Sequence, residues 1–359
     1  MPEDPTPPPE STDTNEPMTP RLMARLFVVP LLIVALFVFS SAAVVLLFGW
    51  ISESERQTVD DLVARVETGV GNLILGMAML PQDREVWQAA SELAGRLQSD
   101  NDADFPQAKR PEIAGRLAVV LEKTYGVAQH KMGQEMQQFL LVTVGKLGQP
   151  QHAELLLKYA LDEKHAVDVR YKAVAALVDM RNTSPESLAA ARATWPALAT
   201  LLDSPHIVLR LASVAAVGAL AAPGDKAAID ALTRASLSDN REVIWNATLA
   251  LARLGSDRAV PQLLEMLDRN HWEKQHMDVP TPPDQEPPKL SQAFVINYLI
   301  LSIDAAVKLG DPQLKPAIEK LADDPALQVK DHARKALDAW SGPASQPSSA
   351  ITRRGGIAA

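Results

Sequence analysis

Four nine-residue stretches of the chain align without gaps and decide the fold. They are VRYKAVAAL (169–177), LRLASVAAV (209–217), VIWNATLAL (243–251) and VKDHARKAL (329–337). Each begins with an aliphatic residue and has a small residue at its fifth and eighth positions. Small residues let neighbouring helices approach closely, while the aliphatic residues fill the layer between them. The sequence therefore predicts repeated helices packed side by side. The residues that define this repeat signature include Val169, Arg170, Ala173, Leu177, Arg210, Ala247 and Ala333.

A second motif marks the partner helix of the repeated unit. It reads WPALATLLD (195–203), VPQLLEMLD (260–268) and KPAIEKLAD (315–323), with Pro196, Pro261 and Pro316 at its second position. Proline is tolerated in the first turn of a helix, where its missing N–H has no intrahelical partner. Each of these prolines therefore predicts a helix start. The first motif begins at 169, 209 and 243, a spacing typical of helix-pair repeats.

These motifs resemble the HEAT-repeat family, in which a V-R-x-x-A-x-x-A-L core is typical. The match is best in the first stretch, at Val169, Arg170, Ala173, Ala176 and Leu177. The resemblance covers roughly residues 130–340. It implies an all-α fold, a right-handed α-solenoid of HEAT-like helix pairs, with a long surface that other proteins bind.

Residues 26–51, LFVVPLLIVALFVFSSAAVVLLFGWI, carry no charge and predict a single transmembrane helix before the solenoid. About 20 apolar residues suffice to cross roughly 30 Å of hydrocarbon. A cleaved signal peptide is the alternative, because Arg21 and Arg25 precede the run, but its apolar core has only about 7 to 15 residues. The same arginines place the N-terminus in the cytoplasm and the C-terminal domain outside it, in the periplasm if the protein is bacterial.

The chain divides into five predicted parts. These are a disordered acidic, proline-rich tail (1–20), the transmembrane segment (21–52), a juxtamembrane helix (53–83), the repeat domain (84–340) and a disordered C-terminal tail (341–359). In the juxtamembrane helix, apolar residues three and four apart predict one helical stripe. This stripe packs on the following domain or forms a dimer seam. Its members are Val59, Leu62, Val66, Val70 and Leu73.

Composition argues against several functions. The 359 residues include no cysteine, which removes disulfides, thiolate metal sites and cysteine nucleophiles. The net charge of −9 argues against nucleic-acid binding, which needs a basic surface. None of the seven histidines is followed by glutamate, so the His-Glu pairs that mark HEAT-type di-iron hydroxylases are missing. Phosphate-binding and hydrolase signatures are missing as well. We expect no catalytic residue, no metal and no cofactor.

The stretch HWEKQHMDVPTPPDQEPPK (271–289) interrupts the helical pattern and forms most of a predicted insertion loop, residues 269–290. As a metal site it is weak, because His271 and His276 are not spaced as a helical i, i+4 pair and prolines favour an extended backbone. Loops of this length in compact domains are often functional or disordered, so the stretch either contacts a partner or is a plain connector between two helices. The candidate partner contacts in it are His271, Trp272, His276 and Asp278.

These patterns predict a membrane-anchored HEAT-repeat scaffold or adaptor, not an enzyme, that binds partner proteins on the extracytoplasmic side. Two alternatives stay open. One is an enzyme or enzyme subunit, of the HEAT-like lyase type, with a site near residues 269–290. The other is an accessory or assembly factor of a membrane complex. The expected partners are other proteins and, through residues 26–51, the membrane.

Overall fold

The structure is a computed structural model that describes residues 57–74, 81–98, 105–125, 131–276 and 287–341. The regular elements in these ranges are helices, apart from a single antiparallel β-bridge between His276 and Lys289. The predicted all-α fold is confirmed for this part of the chain. The predicted transmembrane span (26–51) and the N-terminal tail lie outside the described residues, as do residues 342–359.

Fifteen α-helices lie in the described ranges. They are α1 (Val59–Ile74), α2 (Pro81–Gln98), α3 (Arg110–Thr124), α4 (Lys131–Leu147), α5 (Ala153–Leu161), α6 (Val167–Met180), α7 (Pro185–Leu198), α8 (Ile207–Leu220), α9 (Lys226–Ala235), α10 (Arg241–Arg253), α11 (Val260–Met266), α12 (Arg269–Glu273), α13 (Gln292–Leu309), α14 (Lys315–Leu321) and α15 (Leu327–Ser341). Short 3-10 segments accompany five of them: Gln107–Lys109, Pro150–His152, Ala199–Asp203, Asp257–Ala259 and Pro312–Leu314.

From α4 onward the helices stack in two layers. Helices α4, α6, α8, α10, α13 and α15 form the motif layer, in which each helix contacts the next member. Helices α5, α7, α9, α11 and α14, with their 3-10 segments, form the second layer. Helix α6 contacts α5 and α7, and α10 contacts α9 and α11, so the layers are joined pair by pair. This is the array of helix pairs that the sequence motifs predict.

The four aligned stretches lie in α6, α8, α10 and α15, all in the motif layer. Their first, fifth and eighth positions are buried in every copy. The aliphatic first positions are Val169, Leu209, Val243 and Val329, and the small fifth positions are Ala173, Ser213, Ala247 and Ala333. The eighth positions are Ala176, Ala216, Ala250 and Ala336.

Glycine–alanine contacts bring neighbouring helices of this layer close together. A Cβ atom built on Gly145 of α4 would lie 2.6 Å from the Cα atom of Ala176 in α6. A Cβ atom on Gly218 of α8 would lie 2.5 Å from the Cβ atom of Ala250 in α10. Neither space admits a further carbon atom, so Gly145 and Gly218 each lie against a small residue at the eighth motif position of the next helix.

One of the three motif prolines does not mark a helix start. Pro261 and Pro316 lie in the first turns of α11 and α14, as predicted, but Pro196 lies inside α7. Helix α7 begins well before this motif because Ser184 caps it, accepting a hydrogen bond from the N–H of Ser187 at 3.1 Å. The local capping signal therefore outweighs the proline signal, and the chain passes into 3-10 geometry after Leu198.

Helix α1 shares a core with the helices that follow it. It contacts α2, α3 and α4, and its buried residues include Val59, Leu62 and Val66. Arg116 of α3 binds the Glu67 carboxylate of α1 through two hydrogen bonds of 3.0 and 2.6 Å. The predicted juxtamembrane helix, 53–83, thus holds α1 and the start of α2, and its stripe packs on the following domain. The side chains of Val70 and Leu73 lie outside the described part.

Helix α13 is the described helix that is long and apolar enough to cross a membrane by length and composition alone. It lies in the motif layer against α10 and α15. Its buried residues include Val295, Leu299 and Ile303, and its exposed positions in the middle and last turns are Asn297, Asp304 and Lys308. This distribution is that of a helix whose apolar face belongs to the core of the array.

Candidate functional site: the base of the insertion

The predicted insertion, residues 269–290, begins as a helix rather than as a loop. Asp268 caps α12, accepting a hydrogen bond from the N–H of Asn270 at 3.1 Å. Farther along, the backbone of His276 pairs with that of Lys289, so the two ends of the insertion lie side by side. Residues 277–286, which include the predicted contact Asp278, lie outside the described residues.

Trp272 is a core residue, which corrects its predicted role as a partner contact. It is only 1% exposed, and its indole N–H donates to the backbone carbonyl of Met266 at 2.8 Å. Its ring lies 4.8 Å from that of Trp245 in α10 and 5.3 Å from that of Tyr298 in α13, measured between centroids. The side chain therefore binds the insertion to the motif layer and offers no surface to another protein.

Four side chains form an aromatic cluster beneath the insertion: Trp245, Trp272, Phe294 and Tyr298. The rings of Phe294 and Tyr298 have centroids 4.6 Å apart. The Tyr298 hydroxyl accepts a hydrogen bond from the Asn246 side-chain amide at 2.9 Å, and burial raises the pKa of this phenol. Helix α13 departs from the repeat motif at 294 and 298 because its bulky residues pack against Trp272.

A buried ion pair ties the start of the insertion to the last helix pair. Arg269 donates from Nη2 to Oδ1 of Asp324 at 2.6 Å and from Nε to Oδ2. The Asp324 side chain is 1% exposed and that of Arg269 is 14% exposed. Oδ1 also accepts from the N–H of Ala326 at 2.8 Å, so one carboxylate joins α12 to the turn before α15.

A groove of about 600 Å³ opens beside this ion pair. Helices α11 and α14 of the second layer form much of its lining, which is apolar at Leu264 and Pro316. Polar side chains complete the lining at Asp268, Asn270 and Lys320. Leu264 is 37% exposed, a large fraction for a leucine beside a groove. An apolar patch with a polar surround is typical of surfaces that bind protein segments.

Of the two candidate histidines of the insertion, His271 contacts the aromatic cluster and His276 lies at the β-bridge. The His271 ring packs edge-on against Trp272, 5.6 Å between centroids. Burial lowers the pKa of His271, although the nearby carboxylate of Glu265 acts in the opposite direction. His276 is half-buried at the β-bridge. Within the described ranges, no group of three or more histidine, aspartate or glutamate side chains is placed to hold a metal ion.

Sequence reasoning located the insertion but missed what attaches it. Arg269 and Asp324 are 55 residues apart, and neither belongs to a motif. A signal for the aromatic cluster was present, since Phe294 and Tyr298 replace small residues in a helix that directly follows a stretch containing Trp272. The bulky residues of α13 and the tryptophan before it can be assigned to one cluster only when α10 and α13 are known to be neighbours.

Known proteins resemble this chain in part. Comparison with curated proteins gave no match. Among solved structures, the chain is similar to YibA of Escherichia coli, at 14% identity and a TM-score of 0.42, covering 82% of this chain and 97% of that one. It is also similar to human deoxyhypusine hydroxylase in complex with glycerol, at 16% identity and a TM-score of 0.29, covering 78% of this chain and 96% of that one. Residues 195–276, which run from the end of α7 to the β-bridge of the insertion, match the family model for HEAT repeats.

Proposed function

We propose that the protein is a membrane-anchored scaffold that binds partner proteins on the extracytoplasmic side, through the base of the insertion and the groove beside it. The HEAT repeats of residues 195–276 support this proposal, because such arrays mostly serve as extended binding surfaces. Anchoring by residues 26–51 rests on the uncharged apolar run and on the arginines that precede it.

The observation that carries the proposal is the attachment of the insertion at three points. Arg269 is bound to Asp324, Trp272 is buried in the aromatic cluster, and His276 pairs with Lys289. A connector between two helices needs none of these contacts. An interaction surface benefits from them, because a base that is already ordered loses less conformational entropy when a partner binds.

The two alternative functions predict different observations. An enzyme or enzyme subunit with a site near residues 269–290 turns over a substrate or binds stoichiometric metal, which elemental analysis of the purified protein detects. An accessory or assembly factor uses the same surface for a transient purpose, so its loss lowers the yield of a complex of which it is no permanent part.

A photo-crosslinker tests the groove as the binding surface. We expect full-length protein with the crosslinking amino acid at Leu264 to capture a specific partner in its native membrane. The matched control carries it at Leu237, which is 82% exposed in the turn between α9 and α10 and does not line the groove. A second variant replaces residues 277–286 with a Gly-Ser linker of equal length, and we expect it to keep both the partner and its thermal unfolding, because the base of the insertion and the groove are left intact. Equal capture at both positions, or none at Leu264, contradicts the proposal.

Because the chain has no cysteine, thiol labelling tests the proposed topology separately. A cysteine introduced by Leu237→Cys is the sole thiol of the chain, and we expect a membrane-impermeant maleimide to label it from outside intact cells. Thr14→Cys in the N-terminal tail serves as the control and reacts only after the membrane is permeabilised. The reverse pattern overturns the topology but leaves the groove proposal standing.

A further inference from the structure

A histidine lies near each end of helix α5 (Ala153–Leu161). His165 is buried and His152 is partly buried. His152 directly precedes the helix, and His165 lies in the turn between α5 and α6. In both rings Nε2 is buried, and the described residues provide no hydrogen-bond partner for it. A neutral imidazole tolerates this setting, whereas an imidazolium that has lost water and gained no acceptor does not.

The surroundings of His165 are aromatic and, in the part of the chain that the structure describes, offer its Nε2 no hydrogen-bond acceptor. The ring stacks on Tyr159, 4.5 Å between centroids, and meets Tyr125 edge-on at 4.8 Å. Tyr159 donates its hydroxyl to the backbone carbonyl of Leu121 at 2.7 Å. Burial raises the pKa of Tyr125 to about 12 and also raises the pKa of Tyr159, so both phenols stay neutral at physiological pH.

The charged groups around His165 oppose one another. The Asp162 carboxylate favours the protonated ring, while Arg170 of α6 and Lys158 of α5 disfavour it. Asp162 is already bound by the Tyr125 hydroxyl and by the N–H of Lys164 at 2.9 Å. Burial is the largest effect, and it lowers the pKa of His165.

His152 lies in a similar setting at the other end of the helix. Burial lowers the pKa of its ring, and Glu122 of α3 acts in the opposite direction. The segment Pro150–His152 also packs against α7, whose charged side chains Glu186 and Arg192 are exposed. Both histidines thus resist protonation in the folded chain more than in the unfolded chain.

We propose that α5 is an acid-sensitive joint of the array, where protonation of His152 and His165 loosens the contacts of α5 with α6 and α7. In the unfolded chain these histidines titrate near pH 6.5. The pKa values of both rings are lower in the folded chain. The packing of α5 around the neutral rings therefore contributes fully to stability above pH 6.5, and this contribution is lost as the pH falls through the folded pKa values. The loss stays local, because helices of a repeat array contact only their neighbours.

Hydrogen exchange followed by mass spectrometry tests this joint in the full-length protein. Between pH 7.5 and pH 5.5, after correction for intrinsic exchange rates, we expect protection factors in Ala153–Leu161 to fall at least tenfold. Protection factors in α10 (Arg241–Arg253), the reference helix, should change less than twofold. The double variant His152→Leu with His165→Phe has no titrating ring at either position, and we expect it to lose most of the acid response. His206→Gln, at an exposed histidine before α8, is the matched control and leaves the response unchanged.

Three results overturn the proposal. The first is unchanged protection of α5 at pH 5.5 in the wild-type protein. The second is an equal loss in α5 and α10, which indicates acid unfolding of the whole array. The third is an undiminished acid response in the double variant. If that variant does not fold, NMR titration of histidine-labelled wild-type protein decides, since pKa values of 6.5 or above for both rings contradict the joint.

Discussion

Gly145 and Gly95 both lie inside helices, but only Gly145 faces a neighbouring backbone. A Cβ atom at 145 would lie 2.6 Å from the Cα atom of Ala176, whereas nothing lies within 4 Å of a Cβ atom at 95. We expect Gly145→Ala to lower the free energy of unfolding by about 1–3 kcal/mol through overpacking. Gly95→Ala should raise it by about 0.5–1 kcal/mol, because alanine favours the helix.

Urea denaturation followed by circular dichroism measures both glycine variants. The prediction is that the two substitutions change the free energy of unfolding in opposite directions. Helix propensity alone would make both substitutions stabilising, because both positions are helical. A stabilising effect at both glycines contradicts the close contact between α4 and α6.

The burial of single residues could be predicted from the sequence at some positions and not at others. The burial of Ala176 could be predicted, because it occupies a fixed position in a stretch that recurs four times. The burial of Trp272 could not, because its neighbours in sequence are polar residues and prolines, the composition of an exposed loop. Its position in the core depends on Trp245 and Tyr298, which come from two other helices.

Among the elements, α12 is held in place by a contact that its own sequence does not reveal. Removing one partner of the buried Arg269–Asp324 pair leaves the other charge buried without its counter-ion, so we expect Arg269→Ala to cost about 3–5 kcal/mol of stability. The exposed pair Arg258–Asp230, with side chains 50% and 57% exposed, is the matched control. There we expect Arg258→Ala to cost less than about 1 kcal/mol.

Double-mutant cycles separate these ion pairs from the other roles of their residues. Asp324→Ala also removes the hydrogen bond from the N–H of Ala326, but the coupling energy between Arg269 and Asp324 excludes that loss. A coupling energy no larger than that of Arg258 and Asp230 would show that the pair does not tie the insertion to the last helix pair.

The helices themselves were largely predictable, since apolar periodicity and caps are local. The start of α7 shows how two local signals compete: Ser184 with Pro185 begins the helix, and Pro196 falls within it. A motif read from α11 and α14, whose prolines do begin helices, misplaces this boundary. The predicted anchor rests on an equally local signal, the uncharged run of residues 26–51.

For the molecule as a whole, α8 divides the interior. Its Ala212 and Ala216 belong to a hydrophobic core that extends back to α1, and its Val214 and Val217 belong to a second core that extends to α15. Helix α8 is therefore buried on two sides. Each of the two cores is continuous over several helix pairs, so stability need not be uniform along the chain.

Paired core variants test this division. Leu141 of α4 and Leu299 of α13 are fully buried in the first and second core, respectively. We expect Leu141→Ala and Leu299→Ala each to cost about 2–5 kcal/mol. Each should lower hydrogen-exchange protection mainly on its own side of α8. A uniform loss of protection in either variant indicates that the array unfolds as a single cooperative unit.

The pairing of His276 with Lys289 has a consequence for how the chain can change. Because the two ends of the insertion already meet, the residues between them can vary in number without moving α11 or α13. Loop-closure entropy grows only slowly with length, by about 0.6 kcal/mol for each doubling. The insertion is therefore a suitable place for grafting: residues between 276 and 289 can be exchanged, or a whole reporter domain inserted, while the array is kept.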